Sequence, residues 1–125
     1  MSDARSVAIV DDAAEIRMLL RAQLHKSIDF DVCAEAGNGT DAITIARELR
    51  PDVMLLDLSM PQLGGLEALP AILAESPDTA VVILSGAVDA EVSARAAALG
   101  AAGCLMKTLS GGPLPDRLRA VLADH

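Results

Sequence analysis

Residues 7–15 of the chain read VAIVDDAAE, a short apolar run that leads into two adjacent acids. A continuous apolar run of this length is typical of a strand that is buried on both faces. Asp11 and Asp12 therefore stand at the carboxyl end of a buried strand, where neighbouring carboxylates repel each other. Side chains alternate between the two faces of a strand, so the two acids cannot occupy equivalent positions. A function for this pair depends on what the other strands place beside it.

Short apolar segments alternate with longer segments of helical periodicity along the whole chain. This alternation predicts an α/β fold, with a doubly wound, five-stranded parallel sheet and five helices on its two faces. The second strand alternates more than the others, as an edge strand would. Thr40 is a plausible helix cap, and Pro77 and Gly100 are predicted to end helices. No linker or repeat interrupts the pattern, so we expect one domain over residues 1–125. The predicted strands are Val7–Val10, Asp31–Ala36, Val53–Asp57, Ala80–Leu84 and Ala102–Met106.

Composition and charge exclude several classes of protein. The chain has 125 residues, of which 52% are hydrophobic, and a formal net charge of -8. An acidic surface disfavours binding to nucleic acid and to anionic membranes. No segment approaches the roughly 20 apolar residues of a membrane span, and the polar N-terminus predicts a cytoplasmic protein. Cys33 and Cys104 fit no metal or disulfide spacing, and we expect two reduced, buried thiols.

Polar side chains follow four of the five predicted strands. Asp57 ends the third strand, Ser85 follows the fourth and Lys107 follows the fifth. In open α/β sheets the carboxyl ends of parallel strands meet at one edge, and ligands bind there. We therefore expect these three side chains to lie beside the acid pair of the first strand.

Three carboxylates at one edge favour the binding of a divalent cation. Their oxygens suit a hard ion, Mg²⁺ or Mn²⁺, and of Asp11 and Asp12 we expect one to ligate directly and the other through water. A metal, a lysine and a small hydroxyl are typical of a phosphoryl-transfer site. Asp57 stands alone after a central strand and is the better candidate for a nucleophile that forms an acyl phosphate. Ser85 and Lys107 would then hold the oxygens of the transferred group.

With these residues in this order, the sequence resembles the receiver domain of two-component response regulators. The resemblance rests on VDD at 10–12, LLDLSMPQLGG at 55–65, ILSG at 83–86 and GAAGCLMK at 100–107. It implies a flavodoxin-like fold with strand order 2-1-3-4-5 between two and three helices. The wording is most similar to receivers that carry a helix-turn-helix output domain.

The resemblance also implies a role for each site residue. Asp57 would accept a phosphoryl group from a histidine kinase or phosphotransfer protein, with Ser85 as the switch hydroxyl and Lys107 as the phosphate-pairing cation. The switch would change the face of helix four, strand five and helix five and so control an output domain or downstream protein. Such a domain assists its own phosphorylation and dephosphorylation but is not a multi-turnover enzyme, and its Ala-rich helices leave a homodimer open. The implied Mg²⁺ ligands are Asp11, Asp12, Asp57 and the backbone carbonyl of Ser59.

Two positions depart from the family pattern. Cys104 stands where the family usually has Tyr or Phe, and Thr108 stands where proline usually follows the lysine. A cis bond before a non-proline residue costs about 2.5–4 kcal/mol, which favours a trans Lys107–Thr108 bond. The small Cys104 side chain cannot follow the switch hydroxyl inward as an aromatic ring does.

Two other functions compete with the phosphoacceptor switch. One is a metal-dependent phosphatase with an aspartate nucleophile; those enzymes place the nucleophile on the first strand, with a second aspartate two residues later, whereas the acids here are adjacent. The other is an interaction module that uses the fold without chemistry. Gly64 and Gly65 predict a turn, which is compatible with a loop that is kept flexible beside Asp57.

Overall fold

Five strands and five helices alternate along the chain, as the sequence pattern predicts. The structure is a computed structural model that describes residues 4–60, 63–86, 90–107 and 112–123. The predicted strands agree with it to within two residues at each end. The elements are β1 Arg5–Val10, α1 Ala14–Leu24, β2 Phe30–Ala36, α2 Gly39–Leu49, β3 Val53–Asp57, α3 Gly65–Glu75, β4 Ala80–Ser85, α4 Ala90–Ala98, β5 Gly103–Met106 and α5 Leu114–Ala123.

All strand pairs are parallel, and the sheet order is β2-β1-β3-β4-β5. The predicted fold class and strand order are therefore confirmed. β1 and β3 lie at the centre of the sheet, where Val10 pairs with Leu56. β3 also pairs with β4, and Asp57 lies opposite Leu84. This register brings the carboxyl ends of the three strands to the same edge of the sheet.

The helices cover the two faces of the sheet and bury a separate apolar cluster on each. Alternate residues of β1 point to opposite clusters, Ala8 and Val10 to one and Val7 and Ile9 to the other. The first cluster packs under α2, α3 and α4, and the second packs under α1 and α5. A fully buried Leu, Ile or Val contributes about 1.5–3 kcal/mol to folding, so these two layers hold the strand ends in place.

The second strand changes face part-way along its length. Val7 pairs with Val32, but Ala8 pairs with Ala34, so the register shifts by one residue at Cys33. The residues before the shift, Phe30 and Val32, pack on the α1 and α5 side, whereas Ala34 packs on the opposite side. The expectation of a buried Cys33 is wrong because the shift leaves this thiol exposed.

Other local expectations need correction. Asn38, not Thr40, caps α2, because the Asn38 side chain accepts a hydrogen bond from the Asp41 N–H at 2.8 Å. Cys104 is half-buried rather than buried. Gly100, with a φ of 102°, follows α4 in the left-handed conformation that glycine adopts easily, as predicted. The predicted trans bond between Lys107 and Thr108 lies outside the described residues.

Candidate functional site

The carboxyl edge of the sheet carries all five predicted polar residues, each at or just after the end of a strand. Asp11 is fully buried, and Asp57 and Ser85 are nearly so, whereas Asp12 is exposed. Asp11 and Asp12 differ in burial because side chains alternate along a strand, which directs Asp11 into the protein interior and Asp12 towards solvent. Lys107 follows β5, and its N–H donates to the Ser85 carbonyl at 2.9 Å, which continues the ladder between the last two strands.

Three of these residues form a compact acidic cluster. One carboxylate oxygen from each of Asp11, Asp12 and Asp57 lies within 4.8 Å of the others. Carboxylates at this separation repel each other, and the repulsion is strong where the groups are buried. The cluster therefore needs a compensating positive charge.

Lys107 supplies part of that charge. Its Nζ lies 2.7 Å from Asp11 Oδ2 and 2.7 Å from Asp57 Oδ1, so a single ammonium bridges both buried carboxylates. Asp11 Oδ2 meets the ammonium as an ion pair without a well-aligned hydrogen bond. One positive charge against three negative charges leaves the cluster with a charge of -2.

The pKa values of Asp57 and Lys107 reflect this balance. Burial raises the pKa of Asp57 above its ordinary value, and the Asp11 charge adds to the effect, while Lys107 opposes it. Burial disfavours the charged form of Lys107, but its contacts with Asp11 and Asp57 outweigh burial and raise its pKa. The lysine is therefore charged at neutral pH. The ionised form of Asp57 stays unfavourable in this cluster unless further positive charge is bound beside it.

Asp57 Oδ2 is the atom best suited to receive that charge. It is buried and has no hydrogen-bond partner among the described residues. A buried carboxylate oxygen without a partner costs free energy, and a hard cation bound by the cluster would satisfy it. The donor set of carboxylate oxygens fits Mg²⁺ or Mn²⁺ rather than a metal that prefers nitrogen or sulfur.

The chain after β3 is held close to Asp57. The Ser59 N–H donates to Asp57 Oδ1 at 3.3 Å, so the exposed Ser59 lies beside the carboxylate. At the start of α3 the Gly65 N–H donates to the Leu58 carbonyl at 3.2 Å. A Cβ at Gly65 would overlap the Asp57 carbonyl oxygen and approach Leu58 Cα to 3.2 Å. Gly65 thus permits close packing of the start of α3 against β3. This geometry does not favour a flexible loop at Gly65.

Two residues of the site escaped the sequence reasoning. Arg17 on α1 donates from Nη1 to the Asp11 backbone carbonyl at 2.6 Å, and it also contacts Glu35 near the end of β2. Backbone recognition leaves no motif in a sequence. The contact of Glu35 depends on the register shift at Cys33, which residues 31–36 of the sequence do not reveal.

A groove among the described residues lies away from the acidic cluster. It has a volume of about 810 Å³ and runs between α1 and α5, with Leu19, Lys26, Ile28 and Arg119 in its lining. None of its lining residues belongs to the acidic cluster.

None of the helices in the described part of the chain combines the length and the hydrophobicity that a membrane-spanning helix requires.

Comparison with known proteins identifies relatives over most of the chain. The family model of the response regulator receiver domain matches residues 7–119. The chain is 42% identical over 102 residues to protein-glutamate methylesterase/protein-glutamine glutaminase 3 of Paramagnetospirillum magneticum, covering 82% of this chain and 28% of that protein. It is 34% identical over 114 residues to the transcriptional regulatory protein LiaR of Bacillus subtilis, covering 91% of this chain and 54% of LiaR.

Solved structures agree with the sequence relatives. The response regulator domain of Thermotoga maritima CheB superimposes with a TM-score of 0.82 at 30% identity, over 97% of this chain and 96% of that one. The chain thus matches an isolated response regulator domain along nearly its full length. It spans about half or less of the two longer relatives named above.

Proposed function

Because this chain belongs to the response regulator receiver domain family, which acts as a phosphoacceptor signalling switch, we propose that Asp57 is its phosphoacceptor. The observation that carries the proposal is the buried Asp57 carboxylate, bridged by Lys107 and left with one unsatisfied oxygen. We propose that residues 1–125 form a single receiver domain of a cytoplasmic two-component system. Its phosphodonor is a histidine kinase or a phosphotransfer protein.

The acidic cluster is the proposed site for Mg²⁺. Asp11, Asp12 and Asp57 supply carboxylate oxygens within 4.8 Å of one another, and the backbone carbonyl of Ser59 is the fourth proposed ligand. The burial difference supports unequal roles, with one acid of the pair ligating directly and the other through water. When bound, Mg²⁺ brings two positive charges that neutralise the charge of -2 left by the carboxylates and Lys107, and it polarises the phosphoryl oxygens.

The transfer step is a displacement at phosphorus. An Asp57 carboxylate oxygen attacks the phosphorus of a phosphohistidine, the O–P bond forms as the P–N bond breaks, and the imidazole leaves with the electron pair and takes up a proton. Lys107 is already 2.7 Å from Asp57 Oδ1, so its ammonium can pair with the transferred phosphoryl group. Ser85, buried at the end of β4, offers a hydroxyl to the same group.

Phosphorylation changes the charges that Lys107 faces. Before transfer the ammonium is shared between Asp11 and Asp57, and afterwards a phosphoryl group competes for it. Movement of Lys107 and Ser85 acts on the ends of β5 and β4, and through them on the face formed by α4, β5 and α5. We propose that an output domain or downstream protein reads this face. The relative named as a transcriptional regulator supports an output that controls transcription.

Cys104 changes how this face responds. Its side chain is half-buried on β5 and lies beside Ser93 of α4. An aromatic side chain at this position would move into or out of a space when Ser85 moves. The Cys104 thiol is too small to fill that space. We propose that the response runs through the backbone after β4, where Gly86 gives conformational freedom, and through α4.

The competing functions are less well supported. An aspartate-nucleophile phosphatase would act on outside substrates through many turnovers, whereas we propose that this domain catalyses only its own phosphorylation and dephosphorylation. A pure interaction module would have no need for buried carboxylates held against a lysine. The acidic surface argues against direct nucleic acid or membrane binding by this domain, and a homodimer is compatible with its helical faces.

Intact-mass spectrometry tests the proposal. Incubation with acetyl phosphate and Mg²⁺ should add one phosphate to the wild type, and none to Asp57→Asn or to the wild type with excess chelator. Asp116→Asn is a matched control, because Asp116 is an exposed aspartate of α5 and should leave the modification unchanged. Turnover of a generic phosphate ester would support the phosphatase, and an unmodified wild type would support the interaction module.

A further inference from the structure

A guanidinium on α1 holds the backbone of the acid pair. Arg17 Nη1 donates to the Asp11 carbonyl oxygen at 2.6 Å. Two other hydrogen bonds fix the same residue: its N–H donates to the Ala36 carbonyl at 3.0 Å, and its Oδ1 accepts from the Ala13 N–H at 2.9 Å. The carbonyl that Arg17 holds belongs to the peptide that joins Asp11 to Asp12. The direction of the exposed Asp12 side chain therefore depends on this contact.

Glu35 fixes the position of that guanidinium. Its Oε1 accepts a hydrogen bond from Arg17 Nε at 3.3 Å, and its Oε2 forms an ion pair with Arg21 Nη2 at 2.6 Å, so Glu35 bridges two arginines one turn apart on α1. The register shift at Cys33 makes this contact possible, because it moves the residues after it to the opposite faces of the sheet. Without the shift, strand alternation would turn Glu35 away from α1.

From these contacts we infer that Arg17 is a positioning residue for the metal-binding turn. It holds the Asp11–Asp12 peptide so that both carboxylates face the cluster. Glu35 pairs with both Arg17 and Arg21 and so anchors the Arg17 guanidinium at the Asp11 carbonyl. The inference rests on the proposed Mg²⁺ site. Partners that orient metal ligands in this way typically change metal affinity by about 10–100-fold when they are removed.

The direction of the change in Mg²⁺ affinity on replacing Arg17 distinguishes a positioning role from a purely electrostatic one. Removal of a positive charge close to a cation site strengthens cation binding if charge alone matters. Removal of a positioning contact weakens binding, because the ligands lose their fixed arrangement. Arg21 provides the matched control, since it pairs with the other oxygen of the same Glu35 carboxylate but donates no hydrogen bond to Asp11 in the contacts described.

Calorimetric titration with Mg²⁺ alone tests the inference on wild type, Arg17→Met and Arg21→Met. We expect about tenfold weaker binding for Arg17→Met and unchanged or slightly tighter binding for Arg21→Met. If Arg17→Met does not fold, Arg17→Lys, which keeps the charge but loses the planar fork, should show the same direction.

Two results would overturn the inference. Unchanged or tighter Mg²⁺ binding by Arg17→Met would show that the contact does not position the ligands. Equal weakening in Arg17→Met and Arg21→Met would show a general effect on α1.

Absence of Mg²⁺ binding by the wild type would refute the metal site itself. Hydrogen exchange at the Ala13 amide in metal-free protein then tests the positioning separately, with faster exchange in Arg17→Met expected and equal exchange contradicting it.

Discussion

Replacement of Lys107 by methionine should destabilise the metal-free protein, and Mg²⁺ should reverse much of the loss. Lys107 Nζ is 2.7 Å from an oxygen of both Asp11 and Asp57, and both carboxylates are at least 97% buried. Methionine keeps the length of the side chain but leaves the two carboxylates uncompensated. Removing one partner of a fully buried ion pair costs about 3–5 kcal/mol. Because the lysine side chain is 22% exposed, water offsets part of this cost, and we expect about 2 kcal/mol.

Urea and thermal unfolding in chelator measure this loss. For a chain of this length, about 2 kcal/mol corresponds to a decrease in Tm of about 8 °C. In saturating Mg²⁺ the difference between variant and wild type should fall to about half or less, since the cation neutralises the same carboxylates and binding to the folded state alone is stabilising. Lys26 is the only other lysine in the chain and is exposed, so Lys26→Met should change stability by no more than about 0.5 kcal/mol.

Two results would refute this reasoning about Lys107. Equal stability of Lys107→Met and Lys26→Met in chelator would mean that the ammonium does not compensate the buried carboxylates. A loss that is the same with and without Mg²⁺ would mean that lysine and metal do not act on the same charges.

Three further perturbations probe the same edge of the sheet. Gly65→Ala should lower the free energy of unfolding by about 1–3 kcal/mol in urea titrations, because its Cβ would overlap the Asp57 carbonyl oxygen, and an unchanged midpoint would contradict the close packing. Asp12→Ala should abolish most of the Mg²⁺-dependent increase in Tm, and a full increase would remove Asp12 from the ligand set. Asp57 has a raised folded-state pKa, so its protonation contributes stability below about pH 3.9 that is lost as pH rises through the folded pKa. In chelator, the stability of Asp57→Asn relative to wild type should therefore increase from acidic to neutral pH, and a constant difference would argue against the raised pKa.

Much of this architecture follows from local patterns in the sequence. Short apolar runs separated by helical periodicity predict the parallel sheet, and the carboxyl ends of parallel strands must share an edge. The sequence therefore predicts that Asp57, Ser85 and Lys107 lie at one edge of the sheet, and the contact between Lys107 and Asp57 agrees with this prediction. The unequal burial of Asp11 and Asp12 follows from strand alternation in the same way.

The features that escaped the sequence depend on contacts between distant segments. The register shift at Cys33 arises from the pairing of β2 with β1, and it exposes a thiol and turns Glu35 towards α1. The bond from Arg17 to the Asp11 carbonyl is directed at backbone, which every residue carries. The packing of Gly65 against β3 could not be told from loop flexibility, because glycine serves both purposes.

Borohydride trapping of the acyl phosphate tests the central claim most directly. Reduction of an aspartyl phosphate converts that residue alone to homoserine, so peptide mass spectrometry after acetyl phosphate and Mg²⁺ locates the phosphoacceptor. We predict homoserine at position 57 and at no other aspartate, and none when chelator replaces Mg²⁺. Homoserine at Asp11 or Asp12 instead, or none anywhere in a folded protein that binds Mg²⁺, would contradict the assignment of Asp57 as the phosphoacceptor.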